Sequence, residues 1–192
     1  MCQSTNTVIM VRPISFAMNE QTIVNNYFQQ KNEDGNTLSH ALMEFDRMVE
    51  ILKFHGVDVL IVENDHPAET PDAVFPNNWF SLHDGVLVLY PMFAPNRRLE
   101  RIAGFGQKLG QMGIKVSQVL DLSSHEEHEK YLEGTGSLVL DRLNRRAFAA
   151  LSDRTHIDLV RIWAEKMKYE PIIFHAFQDP DNQEKPIYHT NV

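Results

Sequence analysis

The chain has 192 residues, of which 43% are hydrophobic, and a formal net charge of −8. That length fits one domain or one large piece of a bigger protein, and an acidic chain with no stripe of Lys and Arg excludes a nucleic-acid surface. No apolar run reaches the roughly 18 to 20 residues that span a bilayer, and MCQSTNTVIMVRP has neither a basic n-region nor a small-residue cleavage site, so the chain reads as soluble and cytoplasmic.

The single cysteine, Cys2, rules out an internal disulfide and reads as a flexible terminal thiol. A first strand, VIMVRP, is followed by the clearest helix in the chain. Leu38, Ala41, Leu42, Phe45, Met48, Val49 and Leu52 form one amphipathic stripe, which Gly56 closes. The β-branched run VDVLIV (57 to 62) reads as a strand and ENDHPAETP (63 to 71) as a loop. From Asp72 the reading is a strand through DAVFPNNWFS, a turn at Asp84-Gly85, a second strand VLVLY, and an Arg-bearing corner APNRRLE.

The next helix is expected from Arg97 to Met112, with Asn96 as N-cap, Leu99, Ile102, Ala103, Gly106 and Leu109 inward, and Gly113 as stop. Its Gly104, Gly106 and Gly110 predict close backbone packing. A strand KVSQVLDL and a polar loop SSHEEHEKY follow. From Glu133 the order recurs: a strand EGTGSLVLD, a turn through Leu143-Asn144, AFAALS, and the corner SDRTH. A helix then starts near Thr155, where Asp158 gives capping-box spacing, and EPIIFHAF reads as a strand. A second Pro-bearing loop, 178 to 186, leads to His189.

Asp72, Glu133 and His189 therefore head three copies of one pattern, at offsets 133 − 72 = 61 and 189 − 133 = 56. Alternating helices and strands make the fold α/β, and a repeat of that size predicts radially or linearly repeated supersecondary structure. Ahead of these copies, the strand VIMVRP leads straight to the first helix, so the N-terminal unit lacks its opening strand pair. In closed radial folds the other end of the chain commonly fills such a gap, yet this chain stops three residues after His189.

In a radial arrangement the three leading residues would converge on the axis, where two carboxylates and an imidazole could bind a cationic planar group and move protons. Taken singly, each also reads as an ordinary residue: Asp72 in a turn, Glu133 as a loop charge, His189 at a strand end. Arg97 and Arg154 occupy matching corners before helices, where they serve a ligand, cap the helix-start loops or pair with acids such as Asp153. His125, Glu126, Glu127 and His128 lack the His-Glu-x-x-His spacing of a helical metal site. Trp79 and Trp163 read as core or strand-face aromatics.

DAVFPNNWFS, APNRR, LEGTGSLVLDR, LSDRTH and YHTNV together resemble the guanidine-modifying superfamily of arginine deiminases, dimethylargininases and glycine amidinotransferases, most closely its citrulline-utilisation hydrolase branch. The resemblance covers nearly the whole chain. It implies a five-bladed α/β propeller (pentein) of ββαβ units, of which residues 1–192 would form one incomplete domain with about three blades. It further implies a cysteine thiolate that attacks the central carbon of a guanidino or ureido group. By the resemblance His189 moves protons, Glu133 is a carboxylate of the catalytic centre, Asp72 orients the substrate, and Arg97 and Arg154 clamp its α-carboxylate.

Asn78 departs from the deiminase and dimethylargininase pattern, which has a second acid there. An amide both donates and accepts, and so suits a neutral ureido group such as citrulline's, although Asn77 and Asn78 also read as shaping a bend after Pro76. The family places its nucleophilic cysteine near the C-terminus of a longer chain, and Cys2 is at the wrong end. The expectation is thus an N-terminal fragment of a C–N hydrolase, inactive alone, taking a small amino acid substrate and no cofactor, metal, nucleic acid or membrane. Its open sheet edges would be coverable by a second copy. A reading of another class is a non-catalytic propeller-like protein for binding or assembly.

Overall fold

The computed structural model describes residues 3–23, 26, 36–63, 70–178 and 184–192. Cys2 and most of the two polar loops at 63–71 and 178–186 lie outside the described residues. The chain divides into two compact units, residues 4–76 and residues 77–192 with the N-terminal tip.

The first unit holds β1 (Thr7–Arg12), α1 (Thr37–Phe54) and β2 (Asp58–Glu63). The two strands pair in parallel from Thr7↔Asp58 to Arg12↔Glu63, as a crossover helix requires. Phe45 and Val49 of the expected stripe are buried, whereas Met48 at its margin is 54% exposed. Gly56, at φ 78, ends the helix as expected.

The second unit contains two three-stranded modules. In the first, β3 (Phe80–His83) and β4 (Val86–Leu89) form a hairpin, and β5 (Gln118–Asp121) joins β4 in parallel. In the second, β6 (Val139–Asp141) and β7 (Arg146–Ala150) form a hairpin, and β8 (Glu170–Phe174) joins β7 in parallel. Each is a ββαβ unit, so the repeated order read in the sequence is present. The result is a mixed α/β fold. The first hairpin turns through Asp84 (φ 48) and Gly85 (φ 84), the left-handed pair that a two-residue loop demands. A short ladder pairs β9 (Phe177–Gln178) with β10 (Lys185–Pro186). Among the described residues no helix is long and apolar enough to cross a membrane.

The expected helix from 97 to 112 is two pieces: α2 (Pro95–Arg98) and α3 (Phe105–Gln111). Ala94 is the N-cap of α2 in place of Asn96, and Gly104, at φ 66, starts α3. The break is held by tertiary bonds: Arg98 donates to the carbonyls of Met92 and Phe93, and Arg101 forms a bidentate pair with Glu126. Leu99 is consequently 46% exposed. The glycines are not all packing sites, since a methyl group at Gly110 would meet nothing within 4 Å.

Two expected strand starts are also helical turns. Residues 71–74 form a turn and Pro76–Asn78 a 3-10 turn before β3, and α4 (Gly134–Ser137) precedes β6. The last helix, α5 (Ile157–Met167), is capped by His156, whose Nδ1 accepts from the Asp158 amide at 3.2 Å. Thr155 is not the cap because its hydroxyl donates to Ser137 Oγ at 2.8 Å. Leu159, Val160, Trp163 and Ala164 of α5 pack against Val88, Leu138, Ala147 and Ala149 in one core that joins both modules.

A buried polar chain crosses that core. Arg142 donates to Nδ1 of His83 at 3.2 Å, which leaves the neutral ring's proton on Nε2, facing Ser81 Oγ at 2.6 Å. Ser81 in turn meets Tyr90 Oη at 2.7 Å, and Trp163 donates to the same phenol at 2.9 Å. Burial, aided by Arg142, pushes His83 from 6.5 down to about 4. Between those values the unfolded chain takes up a proton that the folded one refuses, so stability falls as pH drops through that window. The loss should approach on the order of 3 kcal/mol, at about 1.4 kcal/mol per pH unit. Urea unfolding at pH 7, 6, 5 and 4 would check this against His83→Gln; parallel pH dependences in the two proteins would refute it.

Candidate active site

Glu133 and His189 meet. Glu133 is the residue before α4 and is fully buried; His189 lies in the bend after β10 and is 6% exposed. His189 Nε2 is 2.7 Å from Glu133 Oε2. The other carboxylate oxygen accepts the Phe93 amide at 3.0 Å, and Arg154 Nη1 lies 3.5 Å from Oε2. Every side of the carboxylate that these contacts define faces a donor, which is what allows a charge to sit at zero exposure.

The turn α4 sets both partners. Ser137 Oγ accepts the Glu133 amide at 2.9 Å and donates to the Arg154 carbonyl at 2.9 Å. On the His189 side, the Thr190 and Asn191 amides donate to the Gly136 carbonyl at 2.9 and 3.3 Å, and Thr190 Oγ1 donates to the Ser137 carbonyl at 2.6 Å. His189 is thereby docked on α4. Glycine is required here by close approach: a methyl group at Gly136 would lie 2.7 Å from His189 Nδ1 and 2.5 Å from Asn78 Nδ2.

Burial acts on both partners and would raise Glu133, but the hydrogen bond from His189 and the charges of His189, Arg154 and Arg97 hold the carboxyl well below its ordinary range. For His189 burial dominates and lowers the imidazole despite Glu133. The two directions conflict in part, because a cationic His189 would lower Glu133 most. The pair is best described as carboxylate and neutral imidazole, since Nε2–H can donate without carrying charge and Arg154 already supplies a cation. Nδ1 then holds a lone pair that can accept a proton.

Asn78 and Arg97 join this cluster. Asn78 Nδ2 donates to the Glu133 carbonyl at 3.4 Å, and Arg97 Nη1 donates to Asn78 Oδ1 at 3.1 Å. Arg97 also grips Glu100 through Nε and Nη2 at 2.9 and 3.0 Å, both side chains being buried. Arg154 is 2% exposed, with Tyr188 and Phe93 rings 5.0 and 5.7 Å from its guanidinium carbon. Arg98, the neighbour of Arg97, braces the corner instead.

Asp72 belongs to the first compact unit. It is 7% exposed, and its Oδ2 accepts from Asn19 at 2.8 Å and Thr22 at 3.4 Å. In the segment 123 to 131, Glu126 is committed to Arg101 and to the Met92 amide, which takes the central carboxylate of that His-rich run. An open cavity of about 500 Å³ lies between the 101–107 segment and the face of β4 and β5, and none of its lining residues belongs to the Glu133 cluster. Sequence reasoning missed Phe93, Glu100, Gly136, Ser137 and Thr190. The one available signal was the glycine spacing in EGTGS, directly after the acid.

The model of a family described as N,N dimethylarginine dimethylhydrolase, eukaryotic, matches residues 12–192. Among solved structures, the product-bound N-terminal domain of ArgZ, an arginine dihydrolase from the ornithine–ammonia cycle in Cyanobacteria, is similar with a TM-score of 0.68 at 18% identity, over 95% of this chain and 60% of that one. Unliganded AgrE gives 0.67 at 19% identity, over 93% of this chain and 24% of that one. A dimethylarginine dimethylaminohydrolase adduct with 4-chloro-2-hydroxymethylpyridine gives 0.60 at 15% identity, over 88% and 59%. At such identities these likenesses show the shared fold, and the chain spans less than two thirds of each. No curated protein matches the sequence.

Proposed function

The chain belongs to the N,N dimethylarginine dimethylhydrolase family, and from that premise we propose that it is part of a hydrolase acting on the guanidino or ureido C–N bond of an arginine-type amino acid. The observation that carries the reading is the buried 2.7 Å contact between His189 and Glu133. In the proposed cycle His189 Nδ1 takes the proton of a cysteine thiol, and the thiolate attacks the central carbon. The imidazolium, stabilised by Glu133, then protonates the departing nitrogen. In the second half His189 takes a proton from water, the hydroxyl adds to the covalent intermediate, and the thiolate leaves. Net, one water replaces one amine.

Asp72 is proposed to orient the planar nitrogens. Asn78, whose Oδ1 is turned to Arg97, would offer N–H to the carbonyl oxygen of a ureido group, consistent with citrulline as one substrate. Arg97 and Arg154 are proposed to attract the substrate's α-carboxylate, a contact made beside the pairs they hold with Glu100 and Glu133. The reading includes a five-bladed propeller of ββαβ units, a cytoplasmic setting, and a nucleophilic cysteine supplied from outside these 192 residues.

The test is release of ammonia from arginine and citrulline, and of methylamines from methylated arginines, by the protein in the form its gene encodes. His189→Ala should lower turnover by roughly 10²–10⁴-fold. Activity that survives that change undiminished would overturn the proton-transfer assignment. Turnover abolished by Cys2→Ala would overturn the external nucleophile.

A further inference from the structure

Residue 154 holds Glu133 at two points. Its carbonyl accepts the Glu133 amide at 3.3 Å, and its guanidinium stands 3.5 Å from the Glu133 carboxylate. The residues that flank the guanidinium are themselves tied to the pair: Phe93 donates its amide to Glu133, and Tyr188 precedes His189 in the chain. At 2% exposure and with an aromatic ring near each of two sides, Arg154 presents a fixed and little-screened charge to the carboxylate.

We propose that Arg154 is a positioning residue for the Glu133–His189 pair, the buried cation that keeps Glu133 ionised and His189 neutral and therefore able to accept a proton. This rests on reading the pair as the proton-transfer centre, and it gives Arg154 a duty beyond attracting a substrate carboxylate. The physical argument is charge balance. A carboxylate at zero exposure requires a cation, and two candidates adjoin it, the imidazole and the guanidinium. With Arg154 in place the imidazole need not be charged. Without it, Glu133 would draw a proton onto His189, and Nδ1 would lose its lone pair at neutral pH.

Among the described residues, three charged groups act on His189. Glu133 precedes α4 and favours the imidazolium, while Arg154, from the loop between β7 and α5, and Arg97, from α2, oppose it. Glu100 is bound to Arg97 and offsets part of that residue's charge. Removing Arg154 therefore unbalances the set in one direction, toward a protonated His189.

The experiment is a pH titration of the histidine-labelled chain followed by ¹⁵N and ¹³C ring signals, which is read without turnover. The native chain should show His189 as the neutral Nε2–H tautomer at pH 7. In Arg154→Met and Arg154→Gln its midpoint should rise by at least one pH unit, a roughly tenfold gain in proton affinity, and Arg154→Lys should restore it toward the native value. A folded neutral variant with an unmoved midpoint, or a native His189 already cationic at pH 7, overturns the proposal. Should neither neutral variant fold by near-ultraviolet circular dichroism, Tyr188→Leu decides: opening one side of the guanidinium to water should screen its charge and raise the midpoint, and an unmoved midpoint overturns the proposal. If the pair plays no part in catalysis, the ammonia assay fails while the titration result stands.

Discussion

Glu133→Ala is expected to destabilise the chain by about 3–5 kcal/mol, the largest loss of any single side chain in the cluster. The carboxylate is fully buried and is the shared acceptor of His189, the Phe93 amide and Arg154. Truncation removes one charge and strands three donors. Arg154, at 2% exposure, would lose the carboxylate 3.5 Å from its guanidinium, and the Phe93 amide would lose its acceptor. Glu133→Gln should cost less, because an amide oxygen can still accept from His189 or Phe93, although the charge that balances Arg154 is gone. Urea midpoints at pH 7 give the comparison. A cost below about 1 kcal/mol for the alanine variant would mean that water or another carboxylate reaches Arg154, and the closed cluster described above would be wrong.

The sequence revealed what depends on local pattern. The α1 stripe apart from Met48, the Asp84-Gly85 turn, the α5 face and the recurring ββαβ order all follow from periodicity and turn chemistry, and each is where the spacing put it. The failures have tertiary causes. Leu99, Ile102 and Ala103 continue a helical period toward Leu109, yet Arg101 is drawn out by Glu126, 25 residues on, and the helix breaks at Gly104. GTGS reads as the start of a strand because glycines carry no apolar signal. It forms α4 because that turn must pass against the Asn77 and Asn78 backbone, an approach nothing in the local string encodes.

The site shows the same division. Glu133 and His189 were legible through shared register, and the structure brings them to 2.7 Å. Their supports were not. Phe93 contributes a backbone amide, which has no residue signature, and Ser137, Thr190 and Glu100 act on atoms 4 to 53 residues away or within one buried pair. That Arg97 and Arg154 pair with acids was one of two open readings, but their partners Glu100 and Glu133 were not legible, since corner arginines look alike whether they face a ligand or a carboxylate.

Gly134→Ala should damage the site through the backbone. Gly134 has φ +46, and a methyl group there would stand 2.2 Å from the Asn77 carbonyl oxygen and 2.9 Å from that of Asn78. The conformational term for a non-glycine residue in the left-handed region is about 1–2 kcal/mol. The clash adds more, since overpacking that moves backbone costs typically 1–3 kcal/mol. Together they predict a loss of roughly 2–5 kcal/mol, with relief only by shifting the 3-10 turn Pro76–Asn78 away from α4. That shift would pull Asn78 from the Glu133 carbonyl and loosen its bond with Arg97, so the disturbance should reach the ring signals of His189. Gly136→Ala is the milder companion. Its methyl group would meet side-chain atoms of Asn78 and His189, which can yield, so it should displace the imidazole from Glu133 while leaving the fold standing. Gly134→Asn separates the two terms, because asparagine tolerates positive φ but still carries a Cβ. If close approach is the main constraint, asparagine at 134 unfolds as readily in urea as alanine does. A return of most of the lost stability with asparagine would show that φ alone selects the glycine, and that the Asn77 carbonyl can move aside.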